Sequence, residues 1–254
     1  MQSVNGKPQS SAEAEPAHVA AATVDRTRAW TRRPVRAITA AMTATQAASR
    51  PFSTSPRDIL GLGPIDMREV ALRLDALRED QRVTFVRSLS KADMIRLWDA
   101  CDGRVVAGTD YVPAHVAART EVIHKGKNSL PLFSEFEKRF TRGDGDNVVF
   151  GYNHTSLNWT TAGPGYFIGH VEANAKAVDQ QGIFGLDYYE PPANATLLPE
   201  SWPTIRKNEI GIQCLIYAKM VDYMRKVSEG VTIGRAWKHG KRTSNYFVLA
   251  RTGV

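Results

Sequence analysis

The chain has 254 residues, with 33 Lys and Arg against 26 Asp and Glu, a formal net charge of +7. Residues 1–57 hold eight Lys/Arg and three Asp/Glu, a net of +5; the other 197 hold 25 and 23, a net of only +2. The nearly neutral main body removes the charge argument for nucleic-acid binding, and no apolar run reaches the roughly 18 residues that a transmembrane helix needs.

The first element is a leader. Between residues 20 and 57 there are seven arginines and one acid, Asp25, among Ala, Thr and Ser. This is the composition of an organellar transit peptide. The stretch ends in Arg50-Pro51-Phe52-Ser53, which resembles a mitochondrial processing site cut after Phe52. A mitochondrial location is expected. The alternatives are a plastid address, or a cytoplasmic protein with a disordered basic tail of this Ala/Ser/Thr/Pro bias. Glu13 and Glu15 fit the tail better than the address.

Pro56 to Pro64 reads as a linker, with two glycines and two prolines. A helical block follows, roughly 66–101. Met67, Val70, Ala71, Leu74 and Leu77 recur at helical spacing, and Val83, Phe85, Val86 and Leu89 repeat the pattern. Ser90 and Asp93 form a capping-box pair ahead of Met94, Ile95, Leu97, Trp98 and Cys101. Gly103 is the stop. Next, His124 to Asn128 reads as a short basic loop. Phe133, Phe136 and Phe140, three and four apart, predict an amphipathic helix with Lys138, Arg139 and Arg142 outside.

From Asp146 the period changes. Short runs rich in Val, Ile, Tyr, Phe and Trp alternate with Gly, Pro and Asn clusters. Candidate strands are 147–153, 156–161, 165–173, 182–189, 209–217, 230–237 and 245–250. Met220 to Lys226 reads as a helical turn, and His239-Gly240-Lys241 as a tight turn. On 165–173, alternation puts Tyr166, Ile168, His170 and Glu172 on one face. That face is expected to line a cavity, with Tyr166 and His170 as polar handles.

Motifs for metal or covalent chemistry are missing. The six histidines show no H-x-x-x-H or H-E-x-x-H spacing, and Cys101 and Cys214 form no C-x-x-C. No nucleotide loop and no G-x-S-x-G elbow occurs. No cofactor, metal site or catalytic residue is assigned on these grounds. Asp187, Tyr188, Tyr189 and Glu190 end a candidate strand and offer only a weak acid–base pair.

The C-terminal residues Val221-Asp222-Tyr223, Arg225-Lys226-Val227, Ile233-Gly234 and Tyr246-Phe247, with Glu137-Lys138-Arg139-Phe140 upstream, carry a resemblance. They are similar to the end of the GXWXG/DUF4334 group of small calycin-like barrels. The match covers about a fifth to a quarter of the chain after the leader, and the G-x-W-x-G signature is missing. The resemblance implies a closed antiparallel barrel of lipocalin type; that group brings no settled activity.

The chain is therefore expected to be α+β: a leader at 1–57, a small N-terminal helical subdomain at 58–103, and an antiparallel calycin-like β-barrel at 104–254. The expected function is non-catalytic binding of a small apolar or amphipathic, lipid-like ligand. Trp159, Tyr166, His170, Tyr217, Trp237 and Phe247 are the expected ligand-binding residues, with Phe184 also lining the interior. A structural or assembly subunit of a mitochondrial complex, meeting protein partners through the helical block, is the alternative. An isomerase or hydratase using His170 with Asp187 or Tyr166 is the third reading, and it needs those groups to converge in one cavity.

Overall fold

A computed structural model describes residues 53–132, 134–154, 163–172, 180, 182–210 and 213–254. Residues 1–52 of the expected leader, the expected strand 156–161 and Trp159 lie outside the described residues.

The chain forms a closed barrel of eight antiparallel strands in sequence order, with the first paired to the last. The strands are β1 Val122–Asn128, β2 Glu135–Arg142, β3 Val149–His154, β4 Tyr166–Val171, β5 Phe184–Asp187, β6 Met220–Ser228, β7 Val231–Lys238 and β8 Lys241–Thr252. Closure leaves no sheet edge to template aggregation. The β7–β8 hairpin turns at His239 (φ 53°) and Gly240 (φ 70°). Two consecutive positive φ values are what a two-residue turn matched to strand twist requires.

Among the described residues, five helical segments precede β1: α1 Pro56–Leu60, α2 Met67–Asp75, α3 Glu79–Ser88, α4 Lys91–Ala100 and the single turn α5 Gly108–Tyr111. The first residues of the expected linker are thus helical, and Ile59 and Leu60 are buried. Asp66 caps α2 by accepting from the Arg68 and Glu69 amides. At α4 the expected capping box is present: the Asp93 amide donates to Ser90 Oγ (3.1 Å) and the Ser90 amide to Asp93 Oδ2 (3.0 Å). Ser90→Ala is expected to cost about 1 kcal/mol, read as a lower urea midpoint at unchanged slope; an unchanged midpoint would mean that the cap contributes nothing.

The apolar stripes of α2, α3 and α4 lie on the outer face of β6–β8. Val70, Leu74, Phe85, Val86, Leu97 and Trp98 share one core cluster with Val221, Tyr223, Ile233, Trp237, Tyr246 and Val248. Trp98 meets Trp237 and Tyr246 at ring-centroid distances of 6.1 and 6.2 Å, and the Arg225 guanidinium lies over Trp98. These strands are thus buried on both faces.

The barrel interior has two halves. The lower half is packed. Tyr111 from α5 enters it and stacks on Phe140 (4.6 Å) beside Phe184 (5.3 Å), with Val122, Val149, Phe167 and Leu186 around them. Lys226 and Arg251 bind the Asp110 carboxylate and carbonyl respectively, and strap this plug down. A glycine lets the walls close. At Gly151 a Cβ would lie 2.4 Å from the Phe167 ring and 2.6 Å from the Arg139 carbonyl, so only glycine fits. Toward the other end, where β1–β2, β3–β4, β5–β6 and β7–β8 connect, the described residues leave the interior open as a recess.

Five sequence expectations are corrected. Residues 135–142 are a strand, not a helix. Phe136 and Phe140, four apart, suit both periods, and Phe136, Lys138 and Phe140 share the inward face while Glu137 and Arg139 point out. The basic segment His124–Asn128 lies within β1. Met220–Lys226 is β6, because Met220, Asp222 and Met224 face inward and Val221 and Tyr223 meet the helices. The expected strand 209–217 instead holds a five-residue helix, α6 Gln213–Tyr217, at the open end. The face of β4 is also inverted: Phe167 and Gly169 point inward, and Tyr166, Ile168 and His170 point out.

Candidate functional site

At the floor of the open half, four polar side chains meet. Lys138 of β2 donates from Nζ to Asn153 Oδ1 on β3 (2.8 Å), to Asp222 Oδ2 on β6 (3.1 Å) and to the Tyr188 hydroxyl just after β5. Asn153 Nδ2 donates to the same hydroxyl (2.8 Å), which donates onward to Asp222 Oδ2 (3.3 Å). All three ammonium protons have acceptors, so the network is satisfied around the amine. The Lys138 and Asp222 side chains are only 3% and 4% exposed.

The surroundings are aromatic. Phe136, Phe167, Tyr188 and Phe247 place their ring centroids 4.9–5.7 Å from Lys138 Nζ. These faces attract a cation, but they replace water poorly. Burial lowers the Lys138 pKa below its ordinary value, and Asp222 only partly offsets that. Burial raises the Tyr188 pKa well above its ordinary value, so the phenol stays protonated. Tyr188 is also held by Tyr217 of α6, stacked at 5.5 Å and 8°. The buried Asn208 donates to the Tyr166 and Tyr188 carbonyls (2.7 and 2.9 Å) and fixes the chain where Tyr188 leaves the sheet.

Above this floor lies a recess of about 200 Å³. Phe136, Tyr217, Met220, Ala236 and Phe247 line it, and Leu130 and Ile216 stand at its rim, 46% and 45% exposed. The recess therefore has a polar floor, largely apolar walls and a mixed rim, where Asn128 and Asn245 join Leu130 and Ile216. Lys138 and Asp222 cancel formally, so the floor offers hydrogen bonds without net charge.

The structure brings two of the sequence-named residues, Tyr217 and Phe247, to this recess. It places the others elsewhere. Phe184 is inside, but in the packed lower half. Tyr166 packs outside against Tyr152 and Trp202, with its hydroxyl on the Pro203 carbonyl. Trp237 lies under α4. His170 is on the outer face, with Nε2 3.7 Å from Glu172 Oε1 and Nδ1 3.2 Å from the Val171 carbonyl. His170, Asp187 and Tyr166 do not converge in the barrel, which removes the isomerase or hydratase arrangement. One ligand atom each from His170, Glu172 and Asp187 lie within 4.8 Å of one another, the grouping among the described residues most like a cation site. It stands on the opposite face of β4 from the recess.

Lys138, Asn153, Tyr188 and Asp222 were missed as site residues. Their signal was a polar residue centred in an inward-facing apolar pattern: Phe136-x-Lys138-x-Phe140 and Met220-x-Asp222-x-Met224.

No family model, no curated protein and no solved structure matches this chain. Function must therefore be argued from the recess itself.

Proposed function

We propose that the protein binds a small amphipathic, lipid-like ligand in the open half of the barrel, as a calycin-like carrier rather than as an enzyme. The observation behind this reading is the recess: apolar walls converging on a few fixed polar groups, the general form of a small-molecule site. The resemblance to the GXWXG group accords with the barrel and adds no activity to it. About 200 Å³ corresponds to roughly seven waters' share of liquid volume. A ligand portion of about that many non-hydrogen atoms fits inside, and a longer tail leaves past Leu130 and Ile216.

The floor selects the head group. A free cation would favour a carboxylate, but Lys138 already faces Asp222 at 3.1 Å. A neutral head that accepts and donates hydrogen bonds is preferred, because a second buried anion would meet Asp222 without a counter-charge. Isothermal titration calorimetry with 1-hexanol and with hexanoate tests this. The alcohol is expected to bind about tenfold or more tightly than the acid, a difference of about 1.4 kcal/mol. Ala236→Leu, which fills the recess from β7, is expected to abolish the heat while the far-ultraviolet spectrum is kept. Equal binding by both probes would overturn the head-group reading; no binding, or binding unchanged in Ala236→Leu, would overturn the site.

The helical block supports this reading over an assembly subunit. Its stripes already cover the barrel, and the exposed Leu72 and Ile95 are isolated surface apolars of an ordinary kind. We further propose that residues 1–57 act as a mitochondrial address, on their Arg-rich, acid-poor composition. A fluorescent reporter carrying residues 1–57 is expected to enter mitochondria; a diffuse cytoplasmic signal, or import into plastids, would overturn that.

A further inference from the structure

Lys138 is buried at the floor of a recess that a ligand can enter, not within the packed half of the barrel. A buried ion pair is a poor stabiliser, since apolar residues of the same volume often do as well or better. The position of this pair, under the recess and among four aromatic rings, therefore suggests a chemical use. We propose that Lys138 captures an aldehyde or ketone ligand covalently, as an imine. This rests on the binding reading above and narrows its ligand class to carbonyl compounds.

The geometry supplies each part. Lys138 lines the recess, so a carbonyl compound seated on the floor lies against this side chain. Asp222 Oδ2, 3.1 Å away, takes one proton from the ammonium and frees its lone pair. The lone pair attacks the carbonyl carbon, and the C=O π electrons pass to oxygen. That oxygen takes the proton held by Asp222. A second proton leaves nitrogen through Asp222 to the same hydroxyl, which departs as water while nitrogen forms the C=N bond. Ammonium plus carbonyl has become iminium plus water, and the charge is unchanged. Asp222 ends as a carboxylate beside the iminium, so the buried pair stays matched throughout. Asn153 and Tyr188 hold the amine and the carboxylate in place during the exchange. Burial contributes too, since it lowers the Lys138 pKa and raises the share of free amine.

No other lysine shares this setting among the described residues. Lys91, Lys207 and Lys241 are exposed and do not line the recess.

The test is reductive trapping. The full chain is incubated with hexanal and cyanoborohydride at pH 7, and modified lysines are found by peptide mapping. Lys138 is expected to gain one hexyl group about tenfold or more faster than Lys91, Lys207 or Lys241, and saturating 1-hexanol is expected to slow it. Hexyl groups spread over exposed lysines with none on Lys138, while 1-hexanol still binds by calorimetry, would overturn imine capture and leave the binding site standing. No Lys138 adduct and no 1-hexanol binding would mean that the binding site itself is wrong. The double variant Lys138→Met/Asp222→Leu, which removes both charges, is expected to lose the fast adduct; fast uptake that persists in it would overturn the assignment. Where that variant does not fold by circular dichroism, the map of the unaltered chain decides.

Discussion

Lys138→Met should destabilise the fold by about 3–5 kcal/mol, the cost of leaving one partner of a buried ion pair alone. The loss would appear as a lower urea midpoint, and as a fall in Tm of roughly 10 °C for a domain of this size. The cause is Asp222. Its side chain is 4% exposed, and its charged partner at the floor is the Lys138 ammonium at 3.1 Å. Without the ammonium, the carboxylate keeps, among the described residues, the Tyr188 hydroxyl at 3.3 Å, and Asn153 Oδ1 loses the donor it accepts from. Methionine fills the volume of the lysine stem, so little of the loss comes from a cavity. The double variant Lys138→Met/Asp222→Leu is then the informative partner. It removes both charges and is expected to recover at least half of the loss, because the walls around it are already apolar. A double variant as unstable as the single one would show that packing, not the uncompensated carboxylate, carries the cost. A single variant within about 0.5 kcal/mol of the unaltered protein would mean that the Lys138–Asp222 pair does not carry this stability.

How far the sequence revealed this arrangement follows from the same residues. The helices on the outside were legible, because Val70, Leu74, Val83, Phe85, Val86, Met94 and Leu97 keep helical spacing and Ser90 and Asp93 mark a start. The hairpin β7–β8 was legible because both strands are rich in β-branched and aromatic residues and His239-Gly240 interrupts them. β1, β2 and β6 were not. A strand is recognised by alternation of apolar and polar residues, and each of these strands violates it on purpose of the site or the helices. Lys138 sits where alternation demands an apolar residue between Phe136 and Phe140, and Asp222 does the same between Met220 and Met224. In β6 the outward residues Val221 and Tyr223 are buried as well, so no polar face remained to mark a strand. On β4 the period was right and the face was wrong. Tyr166 is buried outside by Tyr152 and Trp202, so both faces read as apolar, and a one-residue shift inverts every side chain. The site was thus hardest to read where its own polar groups replaced core residues.

Acid should unfold this protein earlier than a chain without His124. The ring is 1% exposed, packed between Tyr111 and Phe140 at 5.5 and 4.7 Å. Nε2 lies 3.0 Å from the Tyr111 carbonyl, so it carries the proton and donates it. Nδ1 is buried with no hydrogen-bond partner among the described residues. Protonating it would put an unpaired charge into the core, with Arg251 nearby adding repulsion. Burial first, and Arg251 after it, push the His124 pKa down to about 3, although the Tyr111 carbonyl acts the other way. In the unfolded chain the imidazole binds its proton near pH 6.5. Between those two values the unfolded state holds one proton more than the folded state, so stability falls as pH falls. The contribution is intact above about pH 6.5 and declines by up to about 1.4 kcal/mol per pH unit below it. At pH 4.5 the fold should have lost about 2–3 kcal/mol on this account relative to pH 7.5. His154 titrates in the same window, because burial and Arg139 lower its pKa too. Comparison with His124→Gln separates the two: glutamine can still donate to the Tyr111 carbonyl but takes up no proton. Urea unfolding from pH 4.5 to 7.5 should give a shallower slope in His124→Gln than in the unaltered chain, with His154→Gln removing a smaller part. Parallel slopes in the His124→Gln and unaltered proteins would mean that the ring is reached by water and protonated within the fold. The plug formed by Tyr111 would then not seal the lower half of the barrel.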